Sequence, residues 1–358
     1  MYSVSAANLD ELMNSVYSRL LNGKGVERVE SSTKGANTEV FGALLELRNP
    51  RARLSRSQSR GKVFSALGEL TWYLSGSQRI DFIKYYLPKY HEFSNDKITA
   101  NGAYGPRLFG LDGAARKSKE SQWDRVIETL RTRPDSRNAI IQVFSNDDAF
   151  DENKDKPCTC TLHFAIRNKK LQLHTHMRSN DAVKGLPHDI FSFTMLQEIA
   201  ARELDVDLGR YKHSVASLHI YDDKPESETE SADLSRSAAQ NFLKSGKFEH
   251  IPMPHMPAGD PWIGVQELLK AESHFRRGDF DYAVPNTLDA YWKDLASLLL
   301  AHSLFKRTIN LESSRSEYIS LLRRIASIAR SMTSQVYRLY IQDRLAHRDV
   351  PIRDLFSR

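Results

Sequence analysis

The feature that most limits the fold is the middle of the chain, where residues 159–178 alternate apolar and polar side chains with a period of two, broken by a polar turn at residues 167–170. Successive side chains of a strand point to opposite faces, so this pattern predicts a hairpin with one covered face. Gly185, Leu186 and Pro187 then open helical spacing at Ile190, Phe193, Leu196 and Ile199, and strand character returns over residues 214–221. Residues 138–144 read as one more strand. A hairpin, a helix and a further strand in close succession exclude an all-helical or all-β chain and predict an α+β core, a mixed sheet with flanking helices.

The flanks extend this plan. Leu9, Leu12, Met13, Val16 and Leu20, with Gly23 as a stop, predict an opening amphipathic helix, residues 38–47 a strand, and residues 48–62 a basic loop. Residues 63–74 are almost continuously apolar, which predicts a helix buried on most sides, and the one acid inside it is Glu69. A polar, exposed loop is expected from residue 222 to 231, and residues 251–262 have the proline density of a linker. Beyond them helical spacing dominates. The expected division is a core domain at residues 1–250, a linker at 251–262 and an all-helical C-terminal extension at 263–358.

Composition narrows the function classes. With 358 residues and 40% hydrophobic content the chain can bury a sizeable core, and a net charge of +6 suits anionic small molecules as well as nucleic acid. Acids interrupt the arginines of the last helices, which favours a solvated face over a nucleic-acid surface. The two cysteines, Cys158 and Cys160, exclude a disulfide framework and fit a reducing compartment. The opening residues lack a charged-then-apolar leader and no apolar run has bilayer length, so a cytoplasmic protein with no membrane partner is expected.

Four features bear on chemistry. Cys158 and Cys160 open a strand and share one face of it, and a free cysteine is either a small buried hydrophobe or a nucleophile. Arg178 ends the neighbouring strand of the hairpin, close enough to lower a thiol pKa or to bind phosphate. Glu69 is costly to bury unless it is paired or protonated, and a carboxyl titrating near neutrality suits proton transfer. Asp189 falls in a first helical turn, where a carboxylate also serves the helix dipole. Cys-x-Cys with His174 and His176 matches no structural zinc spacing, so no metal is expected.

Taken together, Glu69 in GELTWYL, Tyr104 in NGAYGPR, Arg137 in PDSRNAIIQVF, Cys158 in KPCTCTLHF, RSND at 178–181, GLPHDI at 185–190 and LHIY at 218–221 resemble the thymidylate synthase family in order and spacing over residues 9–247. The resemblance implies that family's mixed sheet, a homodimer with active sites shared across the interface, and 5,10-methylenetetrahydrofolate as cosubstrate without a metal. It implies that Cys158 is the thiolate adding to carbon 6 of a pyrimidine nucleoside monophosphate, with Glu69 moving protons through water and Tyr104 in the catalytic set. Arg178, Ser179 and Arg137 would hold the phosphate, Arg137 from across the interface. His219 and Tyr221 would bind the sugar hydroxyl, Asp181 the folate pterin, and Tyr90 and Phe93 stand where tryptophans usually cover the folate.

The departures from that pattern point to a branch of the family. Asp189 replaces the asparagine that reads the base. A protonated aspartic acid accepts from the amino group of cytosine and donates to its ring nitrogen, which resembles the dCMP and CMP hydroxymethylases. Thr159 and Met177 change further contacts around the base, and Tyr90 and Phe93 in place of tryptophans favour entry of water. Ser32 stands where an N-terminal phosphate arginine is usual, with Lys34 as a substitute, and Asn138 replaces the second of the paired arginines. Ser179 and Arg137 keep the deoxynucleotide pattern. The expected activity is folate-dependent C5-hydroxymethylation of dCMP, with CMP as the near alternative. A thymidylate synthase-type methyltransferase and a non-catalytic nucleotide- or nucleic-acid-binding paralogue are the rivals.

Overall fold

The computed structural model describes residues 2–32, 34–55, 62–110, 121–150, 152–224, 234–245, 251–309, 314–351 and 355. Most of the polar loop expected from residue 222, and residues 56–61 of the basic loop, lie outside them.

Strands β1 (Tyr2–Ala6), β2 (Glu27–Val29), β3 (Asn37–Leu47), β4 (Ile140–Gln142), β5 (Thr159–Arg167), β6 (Lys170–Asp181) and β7 (Asp207–Tyr221) form one mixed sheet in the order β1-β3-β7-β6-β5-β4, with β2 on β3. The expected hairpin is β5–β6. Its turn residues Asn168 and Lys169 both have positive φ, 52° and 59°, the hand that matches the twist of the flanking strands. β6 and β7 run parallel, pairing Ser179 with Ser217, Asn180 with Leu218 and Asp181 with His219, so their C-terminal ends present polar groups at one edge of the core.

Helix α1 (Leu9–Asn22) is capped by the Asn8 side chain, which accepts from the Glu11 N–H, and it buries Leu9, Leu12, Met13, Val16 and Leu20 as the spacing predicts. Gly23 ends it with φ −84°, so its role is space: a Cβ there would lie 2.5 Å from the Arg19 carbonyl oxygen. Helix α2 (Val63–Leu74) is buried on most sides. Helices α3 (Ile80–Tyr86), α4 (Tyr104–Phe109), α5 (Gln122–Thr132) and α6 (Asn146–Phe150) connect it to β4 and β5. Helix α7 (Leu186–Glu203) crosses the sheet against β6, β7 and α2, and α8 (Ser235–Ser245) returns to α1.

The helical extension is α9 (Pro261–Arg276), α10 (Ala290–Ile309), α11 (Arg315–Ser331) and α12 (Gln335–Ala346). Helix α9 packs on α2 and α7, and α10 packs on α2 and α9. The proline-rich stretch before α9 is fastened to the core: Arg51 and Met253 exchange backbone and side-chain hydrogen bonds at 2.8 and 2.7 Å, and Met256 N–H donates to Glu198 at 3.1 Å. Glu198 also pairs with Arg53, and both are buried. Glu203 accepts from the indole N–H groups of Trp123 (3.1 Å) and Trp262 (2.7 Å), joining α5, α7 and α9. Among the described residues no helix is long and apolar enough to cross a membrane.

Candidate active site

Glu69 is on the one side of α2 that is not fully buried in apolar packing, because the helix is wedged between α7, α3, α4 and the extension. Burial pushes its carboxyl up to about 7, opposed by the hydrogen bond it accepts from the Tyr73 hydroxyl at 2.8 Å. Tyr73 sits one turn further along the same helix, and its ring meets that of Tyr104 at 5.1 Å. Tyr104, at the start of α4, accepts from the Thr159 N–H at 3.3 Å and stacks near-parallel on Phe193 of α7. Its hydroxyl is held far above the ordinary range, first by burial and then by Asp189 and Cys158. Cys158, Glu69, Tyr104 and Asp189 therefore share one electrostatic environment.

Cys158 directly precedes β5 and is half-buried. Its carbonyl accepts from the Arg178 N–H at 2.9 Å, while the Arg178 guanidinium donates to the carbonyls of Pro157 (2.9 Å) and Lys156 (3.1 Å). The arginine thus holds the segment that presents the thiol. Burial pushes the thiol pKa up, and the charges of Arg178 and then Lys34 pull it down. Cys160 lies at a bulge, between Thr159 and Thr161, and does not join the carboxyl groups.

The loop from β6 to α7 carries the two aspartates. Asp181 Oδ1 accepts from the N–H groups of Val183 (2.8 Å) and Lys184 (3.1 Å), which shapes the turn into α7. Asp189 Oδ2 accepts from Asn180 Nδ2 at 2.7 Å. Burial, reinforced by the neighbouring charge of Glu69, raises the Asp189 carboxyl well above the carboxylate range. No cation contacts it among the described residues, so burial favours its protonated form.

His219 and Tyr221 end β7 with ring centroids 4.8 Å apart, and Ser179 faces Ser217 across the β6–β7 pairing. Burial lowers the His219 pKa. Tyr90 meets Phe93 edge-on at 5.9 Å and Trp72 at 5.3 Å, and its hydroxyl lies 3.5 Å from Asp155. Lys34 Nζ lies 3.9 Å from the Phe93 ring centre. Arg137 is exposed on the connection between α5 and β4 and makes no hydrogen bond or ion pair among the described residues, so this chain does not itself bring it to the others. Tyr73, Asp155, Asn180 and His213 were not singled out by the sequence. Tyr73 had a signal, its spacing of one helical turn from Glu69, whereas Asn180 and His213 meet only through the sheet.

A half-buried thiol close to a guanidinium, clustered with two carboxyl groups whose pKa values burial raises, is the equipment of a covalent-catalysis site. The chain belongs to the thymidylate synthase family, whose sequence pattern matches residues 23–244. Among characterised relatives, it is 31% identical over 191 residues to the deoxyuridylate hydroxymethyltransferase of Bacillus phage SP01, covering 51% of this chain and 50% of that protein. It is 28% identical over 222 residues to the deoxyuridylate hydroxymethyltransferase of Delftia phage PhiW-14, covering 58% and 59%. It is 26% identical over 204 residues to the thymidylate synthase of Baumannia cicadellinicola subsp. Homalodisca coagulata, covering 57% and 76%. The chain thus spans about half the length of the first of these relatives.

Proposed function

We propose that the chain is a folate-dependent C5-hydroxymethyltransferase acting on a cytosine mononucleotide, dCMP. The observation that carries the base is Asp189, a buried carboxyl without a cation among the described residues, whose protonated form burial and the nearby Glu69 favour. A neutral acid presents one acceptor and one donor, the pair that the amino group and ring nitrogen of cytosine need. A mismatched polar group in a buried site is costly, so a carboxyl whose proton is held on one oxygen selects against the other pyrimidine.

The remaining roles in this reading are those of the family pattern. Cys158 adds to carbon 6 of the base, with Arg178 lowering the thiol pKa as it anchors the strand end. Glu69, titrating at about 7, gives and takes protons through water, and Tyr104 lines the same pocket. Arg178 and Ser179 hold the phosphate with Arg137 from a second copy in a homodimer, and His219 and Tyr221 hold the sugar. Methylenetetrahydrofolate supplies a carbon at the oxidation level of formaldehyde. The residues fit it: Asp181 uses Oδ1 for its own turn and leaves Oδ2 for N–H donors, and Tyr90 with Phe93 forms an aromatic wall. The small rings of that wall admit water, which favours a hydroxymethyl product over a methyl one.

The phage relatives' names favour a second reading, in which the base is uracil and the substrate dUMP. Tritium release from carbon-5-labelled dCMP, CMP and dUMP, with product mass recorded in the same reactions, separates them. Release from dCMP with a hydroxymethyl mass is expected. Release from dUMP alone would overturn the cytosine assignment, and a methyl mass would overturn the water step.

A further inference from the structure

A neutral carboxyl does not by itself tell cytosine from uracil. With the proton on one oxygen it matches the amino group and ring nitrogen of cytosine, and with the proton on the other it matches the ring N–H and carbonyl of uracil. Selection by Asp189 therefore needs something that decides which of its oxygens carries the proton.

A buried hydrogen-bond chain begins at that carboxyl. Asn180 Nδ2 donates to Asp189 Oδ2 at 2.7 Å, Asn180 Oδ1 lies 3.1 Å from His213 Nε2, and His213 Nδ1 lies 2.7 Å from the Tyr211 hydroxyl. Tyr211 and His213 are 0% exposed and Asn180 4%. Tyr211 and His213 alternate onto one face of β7, and Asn180 is near the end of the neighbouring β6. Gly185 leaves the room: a Cβ there would lie 2.8 Å from Asn180 Nδ2 and 3.4 Å from Asp189 Oδ2.

The direction of the chain follows from the Asn180 amide, which turns its NH2 group toward Asp189 and its Oδ1 toward His213. Burial lowers His213 to about 3, so its ring is neutral and has a single N–H. Because Asn180 Oδ1 can only accept, that proton is on Nε2, and Nδ1 accepts from the Tyr211 hydroxyl. Oδ2 accepts and is the carbonyl oxygen, and the acid proton sits on Oδ1.

We propose that Tyr211 and His213 are positioning residues for base selection, which through Asn180 fix the protonated oxygen of Asp189 so that one pyrimidine is read and the other refused. This rests on Asp189 facing the base, but not on which base it prefers. Cutting the chain frees the Asn180 amide to flip and the Asp189 proton to move to the other oxygen.

The test is calorimetric Kd measurement for dCMP and dUMP, without folate, in the full chain and in Tyr211→Phe and His213→Leu. Tyr211→Phe removes a single hydroxyl, and His213→Leu interrupts the chain at a second point. Each folded variant is expected to narrow the ratio of the two affinities about tenfold, chiefly by tighter binding of the disfavoured base. An unchanged ratio, including equal weakening of both nucleotides, would overturn the relay while leaving a dCMP preference intact. Preference of the unaltered chain for dUMP, narrowed by the same variants, would keep the relay and overturn the cytosine assignment. Equal binding of both nucleotides by the unaltered chain would overturn both.

Discussion

Helix α7 buries two carboxyl groups and treats them in opposite ways. Glu198, toward its C-terminal end, meets the Arg53 guanidinium and the Met256 N–H. Asp189, in its first turn, meets the neutral amide of Asn180 and the nearby acid Glu69. The first arrangement compensates a charge and joins the core to the extension. The second withholds compensation, and burial favours the protonated carboxyl. Burial of an acid is thus common to structure and function here, and the presence or absence of a cation separates them.

Breaking the first arrangement should have the largest effect. Arg53→Ala leaves Glu198 charged, buried and short of its partner, and is expected to cost about 3–5 kcal/mol in urea unfolding. Replacing both partners by apolar residues of similar volume should restore most of that stability. A single variant as stable as the unaltered chain would remove the contrast.

The next effect sharpens the other half of the comparison. Burial raises Glu69 from 4.5 to about 7, so between those values the folded chain holds a proton that the unfolded chain has lost, and stability falls as pH rises. The full difference amounts to about 3 kcal/mol. Glu69→Gln should flatten that slope when unfolding is followed from pH 5 to pH 8, and should slow tritium release by about 10²–10⁴-fold. Equal slopes in the two proteins would mean that Glu69 ionises as readily as an exposed acid.

The smallest effect on stability is expected at Asp189 itself. Asp189→Asn strands no charge, so its cost in the same unfolding experiment should stay within about 1 kcal/mol. The affinity for dUMP relative to dCMP should rise. A loss as large as that of Arg53→Ala would place Asp189 with the structural ion pairs.

The sequence revealed what local pattern controls. The β5–β6 hairpin, α1, α2 with its anomalous acid, and the turn into α7 were all legible, because strand period, helix period and cap residues are short-range signals. Strand β1 was missed because five residues flanked by polar groups give too little alternation, and it forms only by pairing with β3. Arg53 and Glu198 were not singled out, since nothing local says that they will meet. The proline-rich stretch looked like a spacer, although buried Met253 and Met256 anchor it. In the site, Cys158, Glu69, Arg178 and Asp189 stood out through motifs. His213 sits in a strand whose alternation does not distinguish a polar residue turned inward from one turned outward.

The packing of α9 and α10 on α2 also has a consequence for the order in which the protein is made. Helix α2 is synthesised well before part of the surface that covers it, which belongs to residues 261–309. Until α9 and α10 have been synthesised, α2 has an apolar flank open to water. The nascent chain therefore passes through an interval in which every strand of the sheet has been made while its central helix still lacks part of its cover.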